Sequence, residues 1–159
     1  MNPIKFIRDI IFCIVIVNAL FFLLSSIADT RFTVSQQQGK EIRLMPVEAL
    51  LRGQIEVSDK QQISNWRSSK NAVHWKFSCQ QKGLYEITIL HDAVSKEATI
   101  DIVCEGQQLS HKLTTKSKET RMGEVQLNQG AQSLALMVLE MKKKSKIPNI
   151  HSILLTKIN

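Results

Sequence analysis

Alternation of apolar and polar residues dominates the sequence after residue 40 and predicts β-strands. Within residues 73–79, and again within residues 85–89, every second side chain is apolar and the side chains between them are polar. A period of two is typical of a strand with one buried face. Residues 80–83 lie between the two stretches and end in Gly83, as four-residue hairpin loops often do. The pattern predicts a β-hairpin, whose apolar face the rest of the chain must cover because an isolated hairpin is barely stable in water.

Further short apolar segments follow along the chain and are separated by turn residues. They comprise residues 42–45, 47–51, 55–57, 98–104, 109–113, 123–127, 134–141 and 150–158. Short strands at this spacing are typical of an all-β sandwich or barrel. Residues 134–141 are apolar on both sides, so this strand is predicted to be central in its sheet or covered on both faces.

The N-terminal segment is predicted to enter a membrane. Residues 10–28 are uncharged and follow Lys5 and Arg8, and as a helix they would rise about 28 Å, close to the hydrocarbon thickness of a bilayer. The segment is either a single-pass anchor or a signal peptide cleaved near Ala28. Both alternatives place the domain outside the cytoplasm, as an inner-membrane protein of a bacterial cell envelope or as a secreted or periplasmic protein.

The length of the chain allows one folded domain. It has 159 residues, of which 43% are hydrophobic, and this is enough for one core. We predict a membrane anchor or signal peptide over residues 1–28, a polar tether over residues 29–40 and a β-sandwich over residues 41–159.

Two cysteines end predicted strands on their inward side. An oxidising compartment would permit a disulfide between Cys79 and Cys104, provided that their Cα atoms come within about 7 Å. The alternative is that both are small buried hydrophobic side chains. We favour the second interpretation, because the sequence does not bring the two residues together.

Catalytic motifs are absent from the sequence. It has no nucleophile elbow, no His-Glu-x-x-His, no phosphate-binding glycine loop and no paired-cysteine metal motif. His91 and Asp92 follow a predicted strand end, where a polar pair usually marks a solvated turn. We therefore predict a protein without enzymatic activity and without a cofactor.

Positive charge biases the chain toward anionic partners. The formal net charge is +7, and a compact cluster is formed by Lys142, Lys143, Lys144 and Lys146. This cluster either contacts an anionic partner, such as a sulfated glycan, or is a solvated loop. Nucleic acid is not expected, because the domain is exported and has few aromatic residues for base stacking.

Trp66 is the one tryptophan outside the alternating strands. In a loop it could stack on the apolar face of a sugar, with Asn65 or Arg67 supplying hydrogen bonds. The alternative is that Trp66 packs into the end of the sandwich.

Several short motifs resemble a known group of modules. They are residues 63–66 (ISNW), 73–75 (VHW), 82–87 (KGLYEI) and 123–127 (GEVQL) with Gly130, and the closing residues 149–155. Together they are similar to the C-terminal accessory β-sandwich of bacterial secreted sulfatases and fucosidases. More broadly, residues 47–158 resemble the galactose-binding-like jelly rolls that include carbohydrate-binding modules.

The resemblance implies a non-catalytic antiparallel jelly-roll sandwich. In carbohydrate-binding relatives an acidic pair often holds a structural calcium ion, and here Glu48 matches the first acid while Leu50 replaces the second. Relatives also bind sugar through loop aromatics and an asparagine before the last strand, which Trp66 and Asn149 match. The expected function is glycan binding, and the alternative is an envelope module that binds another protein.

Overall fold

Apolar alternation produces strands throughout the described part of the chain. The computed structural model describes residues 33–34, 37–39, 41–94, 98–113, 117–141 and 147–158. These residues form the strands β1 (Thr33–Val34), β2 (Gln37–Gln38), β3 (Glu41–Leu44), β4 (Leu50–Arg52), β5 (Glu56–Val57), β6 (Ile63–Ser64), β7 (Ala72–Cys79), β8 (Gly83–His91), β9 (Ala98–Cys104), β10 (Gln107–Leu113), β11 (Glu119–Leu127), β12 (Gly130–Met141) and β13 (Ile150–Ile158). A 3₁₀ turn, Pro46–Glu48, is the only helical element in these ranges.

The strands assemble into two sheets that pack as a sandwich, which confirms the predicted all-β fold. In the six-stranded sheet the order is β1-β7-β12-β9-β10, and β4 also pairs with β7. In the seven-stranded sheet the order is β11-β8-β13-β3-β2, and β6 links β13 to β5. Within the described ladders the pairing is antiparallel, except that β1 runs parallel to β7.

The predicted hairpin is wrong, because its two strands lie in different sheets. β7 pairs with β12, whereas β8 pairs with β11 and β13. The residues between β7 and β8 therefore cross from one sheet to the other instead of closing a ladder. Alternation shows which side of a strand is buried. The buried face packs on the opposite sheet, so the alternation does not specify which strand is the hydrogen-bonded neighbour.

The apolar faces of the two sheets form one core. Trp75 and Phe77 from β7 and Tyr85 from β8 are among its largest fully buried side chains. Their polar atoms are satisfied, since Trp75 Nε1 donates to Met45 O at 2.9 Å and Tyr85 Oη donates to Gln81 O at 2.7 Å. The large aromatic side chains thus add burial without leaving these polar groups unpaired.

The remaining strands follow the predicted segments. β9 and β13 have the predicted bounds, and β10, β11 and β12 begin earlier than predicted. β12 lies between β7 and β9, so its predicted central position is confirmed. The segment 47–51 is divided between the 3₁₀ turn and β4.

Part of the predicted tether takes part in the sheets. β1 and β2 fall within residues 29–40 and pair with β7 and β3. Residues 1–28, predicted as an anchor or signal peptide, lie outside the described residues. Within the described ranges, no helix has the length and apolar character needed to cross a bilayer.

The side chain of Gln107 links the two sheets at one edge. Gln107 Nε2 donates to Gln126 O, and Gln107 Oε1 accepts from Gln126 N, both at 2.9 Å. The amide therefore satisfies the backbone of β11 as a neighbouring strand would. Because β11 is at the edge of its sheet, this pair protects backbone groups that could otherwise pair with another chain.

Gly53 allows a close approach to Asn71. Gly53 has φ +101°, and a Cβ there would overlap Asn71 Oδ1, the atom that accepts a hydrogen bond from Gln54 N at 3.3 Å. Gly106 has φ +77°, but a Cβ there would have no heavy atom within 4 Å. Both glycines require a positive φ, and they differ in the space around them.

We expect Gly106→Ala to lower the free energy of unfolding by about 1 kcal/mol, the cost of a left-handed alanine. Gly53→Ala should lower it by about 3 kcal/mol, because the added methyl group also displaces Asn71. Urea denaturation followed by tryptophan fluorescence measures both. Equal losses would show that Asn71 moves aside without cost.

Candidate functional site

Three strands meet at one end of the sandwich. Ile150, the first residue of β13, pairs with His91 at the end of β8 and with Ile63 in β6. Beyond the strands, Asp92 N donates to Asn149 O at 2.9 Å. This backbone bond holds the residue after β8 against the residue before β13.

Three cavities adjoin around this junction. The Trp66 cavity, of about 350 Å³, is lined by the predicted ligand-binding residues Asn65, Trp66, Arg67 and Asn149. The central cavity, of about 370 Å³, shares Asn149 with it and extends to Asp92. The His151 cavity, of about 580 Å³, shares Asp92 and extends to His151. The structure thus brings the four predicted residues together and adds two polar residues that sequence reasoning missed.

Trp66 forms the inner wall of its cavity. Its side chain is 2% exposed and belongs to the hydrophobic core, and Nε1 donates to Ser68 O at 3.2 Å. The chain turns before it because Asn65 has φ +61°, a conformation that asparagine tolerates better than most residues. Trp66 therefore offers little aromatic surface to a ligand, whereas Asn65 and Arg67 are exposed.

Asp92 is the polar centre of the junction. Its Oδ2 accepts a hydrogen bond from Asn149 Nδ2 at 2.9 Å, and its Oδ1 lies 2.8 Å from His151 Nε2. His151 Nδ1 in turn lies 3.2 Å from Gln62 Nε2. These contacts join residues 57, 59 and 89 positions apart in the sequence. Asn149 and His151 are two residues apart, a spacing that places both side chains on the same face of an extended chain. No other local feature of the sequence indicates that they lie together.

His91 is buried, so the expected solvated turn is wrong at this residue. It is 2% exposed, with Nδ1 at 2.7 Å from Asp92 O and Nε2 at 2.8 Å from Thr120 Oγ1. Because a carbonyl oxygen only accepts, Nδ1 carries a hydrogen. His91 N also donates to Lys118 O at 2.9 Å. His91 therefore fixes the end of β8 to the start of β11, while the side chain of Asp92 is 48% exposed.

The Asp92–His151 pair differs from the pair in a catalytic triad. In a triad the second histidine nitrogen faces a nucleophile, but His151 Nδ1 faces the amide of Gln62. An amide is not a nucleophile in such chemistry. The arrangement can orient hydrogen-bonding groups toward a ligand, and it assigns no nucleophile.

The calcium candidate Glu48 serves the 3₁₀ turn. Its Oε2 accepts a hydrogen bond from Met45 N at 3.2 Å. In the described ranges, no three His, Cys, Asp or Glu side chains converge as a metal site would require.

The charges that line the cavities are nearly balanced. The acidic side chains are Glu56, Asp59, Asp92 and Glu119, and the basic ones are Lys60, Arg67 and Lys118. This end of the sandwich does not share the strong positive charge of the whole chain. The predicted patch for an anionic partner, formed by Lys142, Lys143, Lys144 and Lys146, lies outside the described residues, directly before Ile147, which lines the Trp66 cavity.

The Asp92 carboxyl titrates below its ordinary range. Partial burial raises the pKa of Asp92, but hydrogen bonds from His151 and Asn149 and the charges of His151 and Lys118 together outweigh it, so the pKa falls below 3.8. A carboxyl whose folded pKa is lowered stabilises the fold above its unfolded pKa, and this stabilisation is lost as the pH falls through the folded value.

We expect Asp92→Asn to unfold more easily than the wild type at pH 5 to 7, because the variant lacks the ionised carboxylate. The difference in unfolding free energy should shrink as the pH falls below about 3.8. Urea denaturation of both proteins between pH 2.5 and about 7 tests this. A difference that stays constant with pH would contradict the lowered pKa of Asp92.

Cys79 and Cys104 are free, buried thiols in this structure. They lie in β7 and β9, with β12 between the two strands. Two strand spacings separate the Cα atoms by roughly 9.5 Å or more, beyond the ~7 Å that a disulfide spans. Burial, followed by the charge of Glu105 and the proximity of Cys79, raises the pKa of Cys104 to about 12.

We expect Cys104 to resist thiol reagents until the protein unfolds. At pH 8 a thiol of such pKa is ionised in only about one molecule in ten thousand, and the thiolate is the reactive form. The third cysteine of the chain, Cys13, is replaced by serine so that it does not react. In this Cys13→Ser background, modification of Cys104 by a disulfide reagent should be at least about a hundredfold slower in native than in denatured protein. A Cys104→Ala variant identifies its signal, and rapid native labelling of Cys104 would contradict the burial.

The part of the chain that contains the three cavities also matches a known sequence family. Residues 51–158, more than half of the 159-residue chain, match the family described as Domain of unknown function (DUF5077). The chain belongs to this family. The matched residues contain the whole junction and every described residue that lines the cavities of this DUF5077 domain. No curated protein matches the sequence.

Solved structures with the same fold include carbohydrate-binding modules. The Podospora anserina GH26-CBM35 β-(1,4)-mannanase matches with a TM-score of 0.61 and 16% identity over 77% of this chain, which spans 28% of the length of that enzyme. A family 35 carbohydrate-binding module from Clostridium thermocellum matches with a TM-score of 0.58 and 11% identity over 76% of this chain and 100% of the module. The mannan-binding module from Man5C matches with a TM-score of 0.57 and 17% identity over 74% of this chain and 99% of the module. The DUF5077 domain therefore has the jelly-roll fold of such modules.

Proposed function

We propose that this domain is a non-catalytic module that binds saccharides at the end of the sandwich where the three cavities adjoin. The observation that carries the proposal is that Asn65, Trp66, Arg67 and Asn149, all predicted from the sequence, line one cavity. The fold adds support, because modules of the same fold are named for binding carbohydrate and mannan.

The chemistry of the cavities suits a ligand with many hydroxyl groups. Each hydroxyl both donates and accepts, and the cavities offer amides, carboxylates and a guanidinium group as partners. Arg67 and Asn65 would bond the ligand, and Trp66 would shape the wall because only 2% of it is exposed. The cavity volumes, from about 350 to about 580 Å³, suit one or more sugar units.

A preference for anionic glycans would come from the lysine cluster. Lys142, Lys143, Lys144 and Lys146 precede Ile147 in the sequence, so they could contact sulfate or carboxylate groups on sugar units outside the cavities. Such contacts would weaken with added salt, because exposed charges are screened. The cavities themselves, with near-balanced charge, supply no such preference.

The same proposal includes the cellular setting predicted from the sequence. Residues 10–28 would tether the domain to the inner membrane, or be removed, and leave the domain outside the cytoplasm. There it would meet polysaccharides directly. Association with a secreted sulfatase or fucosidase is part of this proposal and rests on the sequence motifs alone.

The alternative function is binding of an envelope protein. Val47, in the 3₁₀ turn, is 58% exposed, and Leu50, the first residue of β4, is 51% exposed. β4 pairs with β7 on one side, and no described strand pairs with its other side. A partner strand with apolar residues could dock there.

We expect the full chain in mild detergent to be retarded in native gels that contain soluble mannan or galactan. Arg67→Ala and Asn149→Ala should each weaken the retardation by about three- to tenfold, because each removes a hydrogen-bonding group from the Trp66 cavity. A gel with a sulfated galactan, run at low and moderate salt, tests the lysine contribution.

Arg43→Ala is the matched control, because Arg43 is exposed on β3 and lines none of the three cavities. Trp66→Ala is a poor probe, since the loss of a buried tryptophan costs about 3–5 kcal/mol of stability. Absence of retardation on every polysaccharide would overturn the proposal and favour the protein-binding alternative. In that case Val47→Asp and Leu50→Asp become the informative variants.

A further inference from the structure

Asp92 is held in place from both its backbone and its side chain. Its N–H donates to Asn149 O at 2.9 Å, and its carbonyl oxygen accepts from His91 Nδ1 at 2.7 Å. Its carboxylate is bonded by Asn149 Nδ2 at 2.9 Å and by His151 Nε2 at 2.8 Å. Bonds from three residues fix its orientation before any ligand arrives, and this lowers the entropy cost of binding.

The carboxylate of Asp92 still has acceptor capacity. An ionised carboxylate has about four acceptor positions, and the bonds from Asn149 and His151 use two of them among the described residues. Its side chain is 48% exposed and lines both the central cavity and the His151 cavity. The remaining positions can therefore accept hydrogens from a group in either cavity.

Asn149 is oriented by the same contact. Because a carboxylate only accepts, the amide nitrogen of Asn149 must face Asp92, and its Oδ1 then points away from the carboxylate. Asn149 lines the Trp66 cavity and the central cavity. No described residue donates to Asn149 Oδ1, so this acceptor adds to those of Asp92 and strengthens the demand for donors on the ligand.

The charge around Asp92 disfavours an anion at this point. Asp59 and Glu119 line the same two cavities, together with Lys60 and Lys118. A sulfate or carboxylate group seated against Asp92 would meet a like charge at short range, which costs free energy. A hydroxyl group meets an acceptor instead.

We infer that Asp92 is a ligand-contacting, specificity-determining residue, which accepts hydroxyl hydrogens from an uncharged sugar unit placed between the central and His151 cavities. This inference rests on the proposed saccharide-binding function. It extends the site beyond the four residues predicted from the sequence, and it assigns the sugar unit at Asp92 a neutral character even when other units of the polymer carry charge.

The first test compares Asp92→Asn with the wild type in binding to neutral mannan and galactan oligosaccharides, with the full chain in mild detergent. Asp92→Asn should bind at least about tenfold more weakly, because hydrogen bonds to a charged group are among the stronger ones. Asp59→Asn, with the same change of charge in the central cavity, should lose less than about threefold. Glu124→Gln, on β11 and outside all three cavities, should bind as the wild type does.

The second test separates contact from positioning. A series of monodeoxy oligosaccharides should include one position whose loss weakens the wild type about tenfold and leaves Asp92→Asn unaffected, because the partner of that hydroxyl is already missing. A purely structural role of Asp92 would leave the variant as sensitive to the deoxy sugar as the wild type. If Asp92→Asn does not fold, Asp92→Glu replaces it, since it keeps the charge and shifts the carboxylate by one methylene.

The outcomes distinguish this inference from the proposed function. Binding by the wild type with undiminished binding by Asp92→Asn, or by a folded Asp92→Glu, would overturn the role of Asp92 and leave saccharide binding intact. An equal loss in Asp59→Asn would assign the effect to cavity charge and also overturn it. Failure of the wild type to bind any oligosaccharide would overturn both.

Discussion

Each sheet of this protein has one apolar face, and neither sheet is stable in water unless the other covers it. The aromatic side chains of β7 and β8, which lie in opposite sheets, are among the largest fully buried side chains of the shared core. Their buried polar atoms need hydrogen-bond partners. Backbone carbonyls of Met45 and Gln81 accept these hydrogens, so the connecting segments around them are fixed by the same core that the sheets form.

The end of the molecule that contains the three cavities is a consequence of this stacking. Packing of the apolar faces sets the register of β8 against β13, and the register brings Asp92 opposite Asn149. A buried histidine then ties the end of β8 to β11 through Thr120. Polar residues at the rim are consequently held by short bonds to strand ends, which is how a rigid scaffold usually presents binding groups.

Charge is distributed differently over the chain and over its cavities. The chain has a formal net charge of +7, whereas the residues that line the cavities include Glu56, Asp59, Asp92 and Glu119 beside three cations. The positive charge of the whole chain can therefore attract an anionic polymer at long range, while the cavities select an uncharged sugar unit at short range. Net charge governs encounter, and oriented acceptors govern which group fits.

The sequence by itself determined the strands and which of their faces is buried. The bounds of β9 and β13 and the fold class follow from alternation, because a period of two requires only local information. Motif positions and the neighbourhood of Trp66 also predicted Asn65, Arg67 and Asn149 as site residues, and these residues line one cavity. The tertiary structure alone decided that β7 pairs with β12 and not with β8, and that Asp92 meets Asn149 and His151. Those decisions join residues more than 50 positions apart, and they depend on how two complete sheets pack, which no local pattern encodes.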